Sequence, residues 1–222
     1  MSFDVTAVRA DFPILSREVN GKPLVYLDSG ASAQKPQVVI DAINTAYASE
    51  YANVHRGLHY LSNLATEKYE GVRAKIARFL GAVDENSIVL NSGTTEGINT
   101  VAYGWAMENM NAGDEIILSV MEHHANIVPW HFLRERMDVN LVWVDVDANG
   151  DLDPQKVLDA VTPRTKLIAV TQLSNVLGTV VDVKTICHAA RAQGIATLVD
   201  GSQGAVHMPV NVEDLGCDFY PI

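Results

Sequence analysis

The residues able to do chemistry sit just past short apolar runs. Asp200 ends the run Ile195-Ala-Thr-Leu-Val-Asp200 and is followed at once by Gly201, Ser202 and Gln203. A carboxylate at the carboxyl end of a buried strand lies where open α/β sheets bind ligands. It can pair with a cationic ring nitrogen, or serve as a cap or salt-bridge partner. Ser92-Gly-Thr-Thr-Glu-Gly97 follows Ser87-Ile-Val-Leu-Asn91 and leads into a helix. A glycine turn carrying the hydroxyls of Thr94 and Thr95 is a seat for an anion, or a plain N-cap made by Ser92 or Thr94. No lysine follows the glycine, so this is not a Walker loop. Glu122-His-His-Ala-Asn126 follows Glu115-Ile-Ile-Leu-Ser119. There His123 can stack on a planar ring and move a proton, or be an ordinary loop histidine. Within Gln172-Leu-Ser-Asn-Val-Leu-Gly-Thr179, Asn175 can donate to a phenolic oxygen, or hold an Asx-turn. In the loop Asn53-Val-His-Arg-Gly-Leu-His59, Arg56 beside His55 can clamp a carboxylate in fork geometry, or be a solvated charge. No metal site is expected: His123 and His124 are adjacent, no HExxH occurs, and His131 lies far along the next helix.

The elements that must position these groups alternate. Helices are expected over 4–11, 36–51 and 62–80, the last with Ser62 as cap and Gly81 as stop. Strands are expected over 25–28, 87–91, 115–119, 140–145, 166–171, 195–199 and from Asp218. Helices over 94–110, 126–137, 154–161 and 182–192 separate those from residue 87 onward. Strand–helix alternation predicts βαβ units, hence an α/β protein with a mostly parallel sheet flanked by helices.

The chain has 222 residues, 48% of them hydrophobic and 19% charged, which suits a folded globular protein. A formal charge of −11 without any basic stripe disfavours nucleic acid. No run of 18 apolar residues is present, so no membrane span is expected. Two cysteines, Cys187 and Cys217, are not a disulfide scaffold and suit a reducing compartment. The amino-terminal residues lack the apolar core of a signal peptide, and a cytoplasmic location is expected.

Taken together the motifs resemble the amino-terminal half of the group II cysteine desulfurases, which belong to the class V aminotransferase-like, fold-type I enzymes that use pyridoxal 5'-phosphate (PLP). The matching segments run nearly from end to end: Val8-Arg-Ala-Asp-Phe-Pro13, Tyr26-Leu-Asp-Ser29, Ala31-Ser-Ala-Gln-Lys-Pro36, Val54-His-Arg-Gly57, Ala65-Thr-Glu-Lys68, Gly93-Thr-Thr-Glu-Gly-Ile-Asn99, Met121-Glu-His-His-Ala-Asn-Ile-Val-Pro-Trp130, Ser174-Asn-Val-Leu-Gly178, Val199-Asp-Gly201 and Cys217-Asp-Phe-Tyr220.

The resemblance implies a fold-type I large domain over 25–222, truncated before its last strand and small domain, with an arm over 1–24 that belongs with that small domain. It implies that Thr94 and Thr95 hold the PLP phosphate and that His123 covers the pyridine ring and assists proton transfer. It places Asn175 and Gln203 at the phenolic oxygen and Asp200 at the pyridine nitrogen. His55 and Arg56 fall near the substrate entrance or the subunit interface. The implied activity turns L-cysteine, or selenocysteine, into alanine and an enzyme persulfide for iron–sulfur cluster assembly, with a homodimer and a sulfur-acceptor protein as partners. The sequence departs at Gly30 and Ser202, where alanines are expected, and at Ser92, where arginine is common. No lysine follows Lys184, and the family's Schiff-base lysine and persulfide cysteine have no match. The expectation is therefore a chain inactive by itself, binding PLP at most non-covalently. The competing expectation is a non-catalytic fragment that binds PLP weakly or docks on a sulfur-transfer partner.

Overall fold

Short apolar runs form the strands of the central sheet. The computed structural model describes residues 3–222. Its elements in chain order are α1 (Val5–Ala10), a hairpin of β1 (Glu18–Val19) and β2 (Lys22–Pro23), α2 (Gln37–Thr45), α3 (Tyr60–Leu80), α4 (Thr94–Thr100), α5 (Met107–Asn109), β3 (Glu115–Ser119), α6 (Val128–Met137), β4 (Asn140–Val144), α7 (Pro154–Asp159), β5 (Thr165–Thr171), α8 (Val183–Ala192), β6 (Ala196–Asp200), α9 (Gly204–His207) and α10 (Val212–Leu215). The chain divides into two compact units between Val72 and Arg73, inside α3.

The second unit carries the sheet, four parallel strands in the order β4-β3-β5-β6. Strand β3 is buried along its whole length and β5 almost so, as befits parallel strands covered on both faces. Side chains alternate between two apolar layers. Ile117, Ile168, Val170 and Val199 pack against Val157, Ile186 and Ala190 on one face. Ile116, Leu118, Leu167, Ala169 and Leu198 pack against Ile98, Ala102, Trp130 and Leu133 on the other. Each fully buried aliphatic side chain contributes about 1.5–3 kcal/mol. Caps aim the helices: Asp153 accepts from the Gln155 amide at 2.9 Å, and Asp182 from the Thr185 amide at 3.2 Å. From β3 the chain leaves toward β4, then crosses back to β5 on the other side of β3. Such a reversal, at the carboxyl ends of β3 and β5, is where open α/β sheets place a ligand crevice.

Three expected strands do not form ladders. Residues 25–28 are unpaired, with Val25 and Leu27 exposed. Residues 88–91 follow a 3-10 turn, Glu85–Ser87, without pairing. The run from Asp218 makes one parallel bridge, Leu198 to Phe219. It stays beside β6 through Phe219 N–H to Thr197 O at 3.0 Å, Val199 N–H to Phe219 O at 2.9 Å and Gly201 N–H to Pro221 O at 2.9 Å. Pro221 lacks the donor that would extend this ladder. Parallel pairing turns the backbone of Tyr220 the other way. There a cleft of about 550 Å³, lined by Ile88, Val89, Leu90, Trp105, Phe219 and Ile222, separates the two extended segments.

The first unit is small and open. Asp4 caps α1, accepting from the Thr6 and Ala7 amides at 3.0 and 3.1 Å. Asn20 and Gly21, with φ of 54° and 71°, close the hairpin β1–β2. Positive φ at both central residues is what a tight type I′ turn requires. Helix α2 runs on into a wide π-helical turn, Ala46–Glu50. Among the described residues up to Val72, Ser62 alone is buried.

Candidate functional site

The site begins at the carboxyl end of β6, where Asp200 is 4% exposed. Its Oδ1 accepts from the Ser202 amide at 3.0 Å and from the Ser202 hydroxyl at 2.6 Å. Both bonds fall on Oδ1, and no cationic side chain among the described residues pairs with the carboxylate. Of the alternatives open in the sequence, Asp200 is therefore no salt-bridge partner among the described residues. A buried carboxylate without a cation is costly unless a ligand brings one.

The turn after Asp200 is built around two glycines. A Cβ on Gly201 would overlap the Tyr220 ring, and one on Gly204 would overlap Gln172 Oε1. The Tyr220 hydroxyl donates to that same Oε1, and the Gln172 amide donates to Asp200 O at 3.0 Å. Burial pushes the Tyr220 phenol well up, so it stays a donor. Gln172 and Tyr220 brace the turn from below. Gln203, half-buried, opens α9 as its N-cap residue.

Thr94 comes to the same place from the start of α4. Its hydroxyl lies 2.9 Å from that of Ser202. Neither Ser92 nor Thr94 caps the helix: Gly93, at φ 124°, occupies the cap position without a side-chain bond. The Glu96 carboxylate takes the Ser92 amide at 2.6 Å, which lowers its pKa. Thr95 is exposed beside Thr94.

The loop after β3 is pinned by a buried acid that motif reading passed over. Glu122, 7% exposed, accepts from the Ser119 hydroxyl, from Asn126 Nδ2 at 2.8 Å and from the Thr171 amide. Trp130 Nε1 donates onward to Asn126 Oδ1 at 3.0 Å. The network joins the ends of β3 and β5, across the crevice mouth, to the first turn of α6. Burial raises the Glu122 pKa to about 7, and the charge of Asp200 pushes the same way, against the three hydrogen bonds. Asn126, expected to open the helix, lies instead in a 3-10 turn, His124–Asn126.

His123 follows Glu122 and is exposed. Its Nδ1 accepts from the Ala125 amide at 3.1 Å, so the neutral ring carries its proton on Nε2. Asn175 is exposed in the turn after β5. The Ser174 hydroxyl, not Asn175, holds that turn, accepting from the Val176 and Leu177 amides at 3.3 and 3.1 Å.

The structure thus brings Thr94 and Asp200 together through Ser202, and ties the segment carrying His123 to the Asp200 side through Glu122. His55 and Arg56 belong to the first unit. His55 takes φ 66°, its amide donates to the Thr66 hydroxyl at 2.9 Å, and its Nε2 lies 3.1 Å from Glu70. Arg56 is exposed. Among the described residues no group of three or more His, Cys, Asp or Glu is placed to hold a metal. No helix among them is long and apolar enough to cross a membrane. Burial raises Cys187 to about 11 and Cys217 to about 12, which makes both poor nucleophiles.

The aminotransferase class-V profile matches residues 25–222. A cysteine desulfurase of Yersinia pestis (strain Pestoides F) is 51% identical over 221 residues, which are 99% of this chain and 54% of that protein. The crystal structure of the cysteine desulfurase CsdA of Escherichia coli superposes with a TM-score of 0.85 at 38% identity, covering 99% of this chain and 54% of the other. The apo cysteine desulfurase of Thermococcus onnurineus NA1 superposes at 0.90 with 34% identity, covering 99% and 53%. The chain spans about half the length of the relatives it matches.

Proposed function

Because the chain belongs to the aminotransferase class-V family, we propose that its strand-end loops form one wall of a PLP site in a cysteine desulfurase. The observation that carries this reading is Asp200, a buried carboxylate whose hydrogen bonds leave it without a cation. A protonated pyridine nitrogen is such a cation, and hydroxyls at Thr94 and Thr95 suit the phosphate at the other end of the same molecule. When bound, PLP supplies an electron sink for the α-carbon of an amino acid.

The chain's own residues then have distinct tasks. Asp200 holds the ring proton by charge pairing. Thr94 and Thr95 donate to the phosphate oxygens. His123 presents Nε2–H from an exposed turn, where it covers the ring and moves a proton. Asn175 and Gln203 donate to the phenolic oxygen. His55 and Arg56 serve the substrate entrance or the subunit interface. Residues 1–24 act as an arm belonging with a small domain, and 25–222 as the large domain.

The substrate in this reading is L-cysteine or selenocysteine, and the sulfur passes to an acceptor protein for iron–sulfur assembly. The enzyme works as a homodimer in the cytoplasm. The 222 residues contain no match to the lysine that holds the cofactor's aldehyde or to the cysteine that takes the sulfur. They bind PLP at most non-covalently and do not turn over cysteine alone. Titrating PLP into the purified chain tests this directly. We expect a saturable change in the PLP absorption band, weakened at least 10-fold by Asp200→Ala, and no alanine release. Equal binding by wild type and Asp200→Ala would refute the site, and steady alanine production would refute the inactivity.

A further inference from the structure

Ser202 stands where the family resemblance leads one to expect alanine, and its hydroxyl touches both ends of the candidate site. It lies 2.6 Å from Asp200 Oδ1 and 2.9 Å from Thr94 Oγ1. Ser202 and Thr94 are 108 residues apart in sequence, on the turn after β6 and at the start of α4. A serine hydroxyl has one proton, and a carboxylate only accepts. The charge-assisted bond to Asp200 is the stronger, so it takes the Ser202 proton. The contact with Thr94 must then be filled by the Thr94 proton, pointing at Ser202. In the ligand-free protein the hydroxyls form a directed chain, from Thr94 to Ser202 to Asp200.

We propose that Ser202 is a positioning residue that couples the two ends of the site: with its own proton committed to Asp200, it holds the Thr94 proton away from an incoming phosphate. The inference rests on the cofactor reading above for what occupies the site, but the hydroxyl chain itself does not depend on that reading. A phosphate oxygen can only accept from Thr94. Its arrival therefore breaks the bond from Thr94 to Ser202, or forces Ser202 to turn its proton from Asp200 to Thr94. Either way, anion binding is made weaker than a free Thr94 hydroxyl would allow. The coupling is reciprocal, because one bond is shared by two sites.

The test uses the full chain, wild type and the variants Ser202→Ala, Ser202→Thr, Thr94→Val and the double variant Ser202→Ala/Thr94→Val. The ligands are inorganic phosphate, PLP and pyridoxal without phosphate, read by calorimetry and absorbance. Ser202→Ala should tighten inorganic phosphate and PLP by about 3- to 10-fold, the worth of one hydrogen bond no longer broken on binding. The gain should vanish in the Thr94→Val background and be absent for pyridoxal, and Ser202→Thr, which keeps the hydroxyl, should follow wild type. A residue that merely supports the fold would weaken all three ligands together. Phosphate binding unchanged or weakened in Ser202→Ala, a gain that persists with Thr94→Val, or no phosphate bound by any variant overturns the coupling. Wild type binding PLP no better than phosphate counts instead against the cofactor reading and leaves the hydroxyl result standing.

Discussion

Glu122 shows how one residue can report on the whole crevice. Its carboxyl is raised to about 7 from an ordinary 4.5, first by burial and then by the nearby charge of Asp200. In the unfolded chain it releases its proton near 4.5; in the folded chain it keeps it to about 7. Folding therefore takes up a proton between those values. The stabilisation Glu122 gives as a neutral acid is fully present below pH 4.5 and is lost as pH rises through about 7. Glu122→Gln, which cannot ionise, should flatten this part of the stability profile. Denaturant melts of both proteins at pH 5 and pH 8 check it: the variant should lose less stability over the interval, by on the order of 1–3 kcal/mol. No pattern in the sequence distinguishes Glu122 from the histidines beside it. Its role comes from its near neighbours Ser119 and Asn126 and from Thr171, which only the sheet brings to it. Asp200 and Thr94 were legible, because each ends or follows an apolar run. Ser202 was visible only as an odd residue type.

At the scale of elements, the turn between β6 and α9 depends on what has no side chain. Gly201 and Gly204 leave room for the Tyr220 ring and Gln172 Oε1. Gly201→Ala should destabilise the chain by about 2–3 kcal/mol through overpacking. Tyr220→Phe keeps the ring and loses one hydrogen bond, at a cost of about 1 kcal/mol. Thermal melts of both single variants should rank them in that order; a neutral Gly201→Ala would show that the turn has slack. The sheet strands 115–119, 166–171 and 195–199 could be read from their apolar runs because burial on both faces leaves a continuous signal; 140–145 has an apolar run too, although as the edge strand it is only partly buried. Residues 25–28 and 87–91 carry the same signal without forming ladders, since pairing depends on a neighbour that local sequence does not encode. The hairpin at Asn20-Gly21 was the reverse case. Its turn chemistry is strong, but strands of two residues are too short to show alternation.

At the scale of the molecule, the cleft between residues 88–91 and 218–222 combines apolar walls with backbone groups that lack ladder partners. Surfaces of this kind bind apolar probes and template further strands. The purified chain should bind the dye ANS in native buffer and should associate as its concentration rises, with sedimentation showing species larger than a monomer. A monomer that melts sharply and ignores the dye would contradict this.

Only Ser62 is shielded from solvent among the described residues before Arg73, whereas both apolar layers of the sheet lie beyond it. Resistance to protease should divide along the same line. Brief trypsin treatment should trim the amino-terminal third and spare a piece holding all four parallel strands, and mass spectrometry of the surviving fragment should find its start within α3.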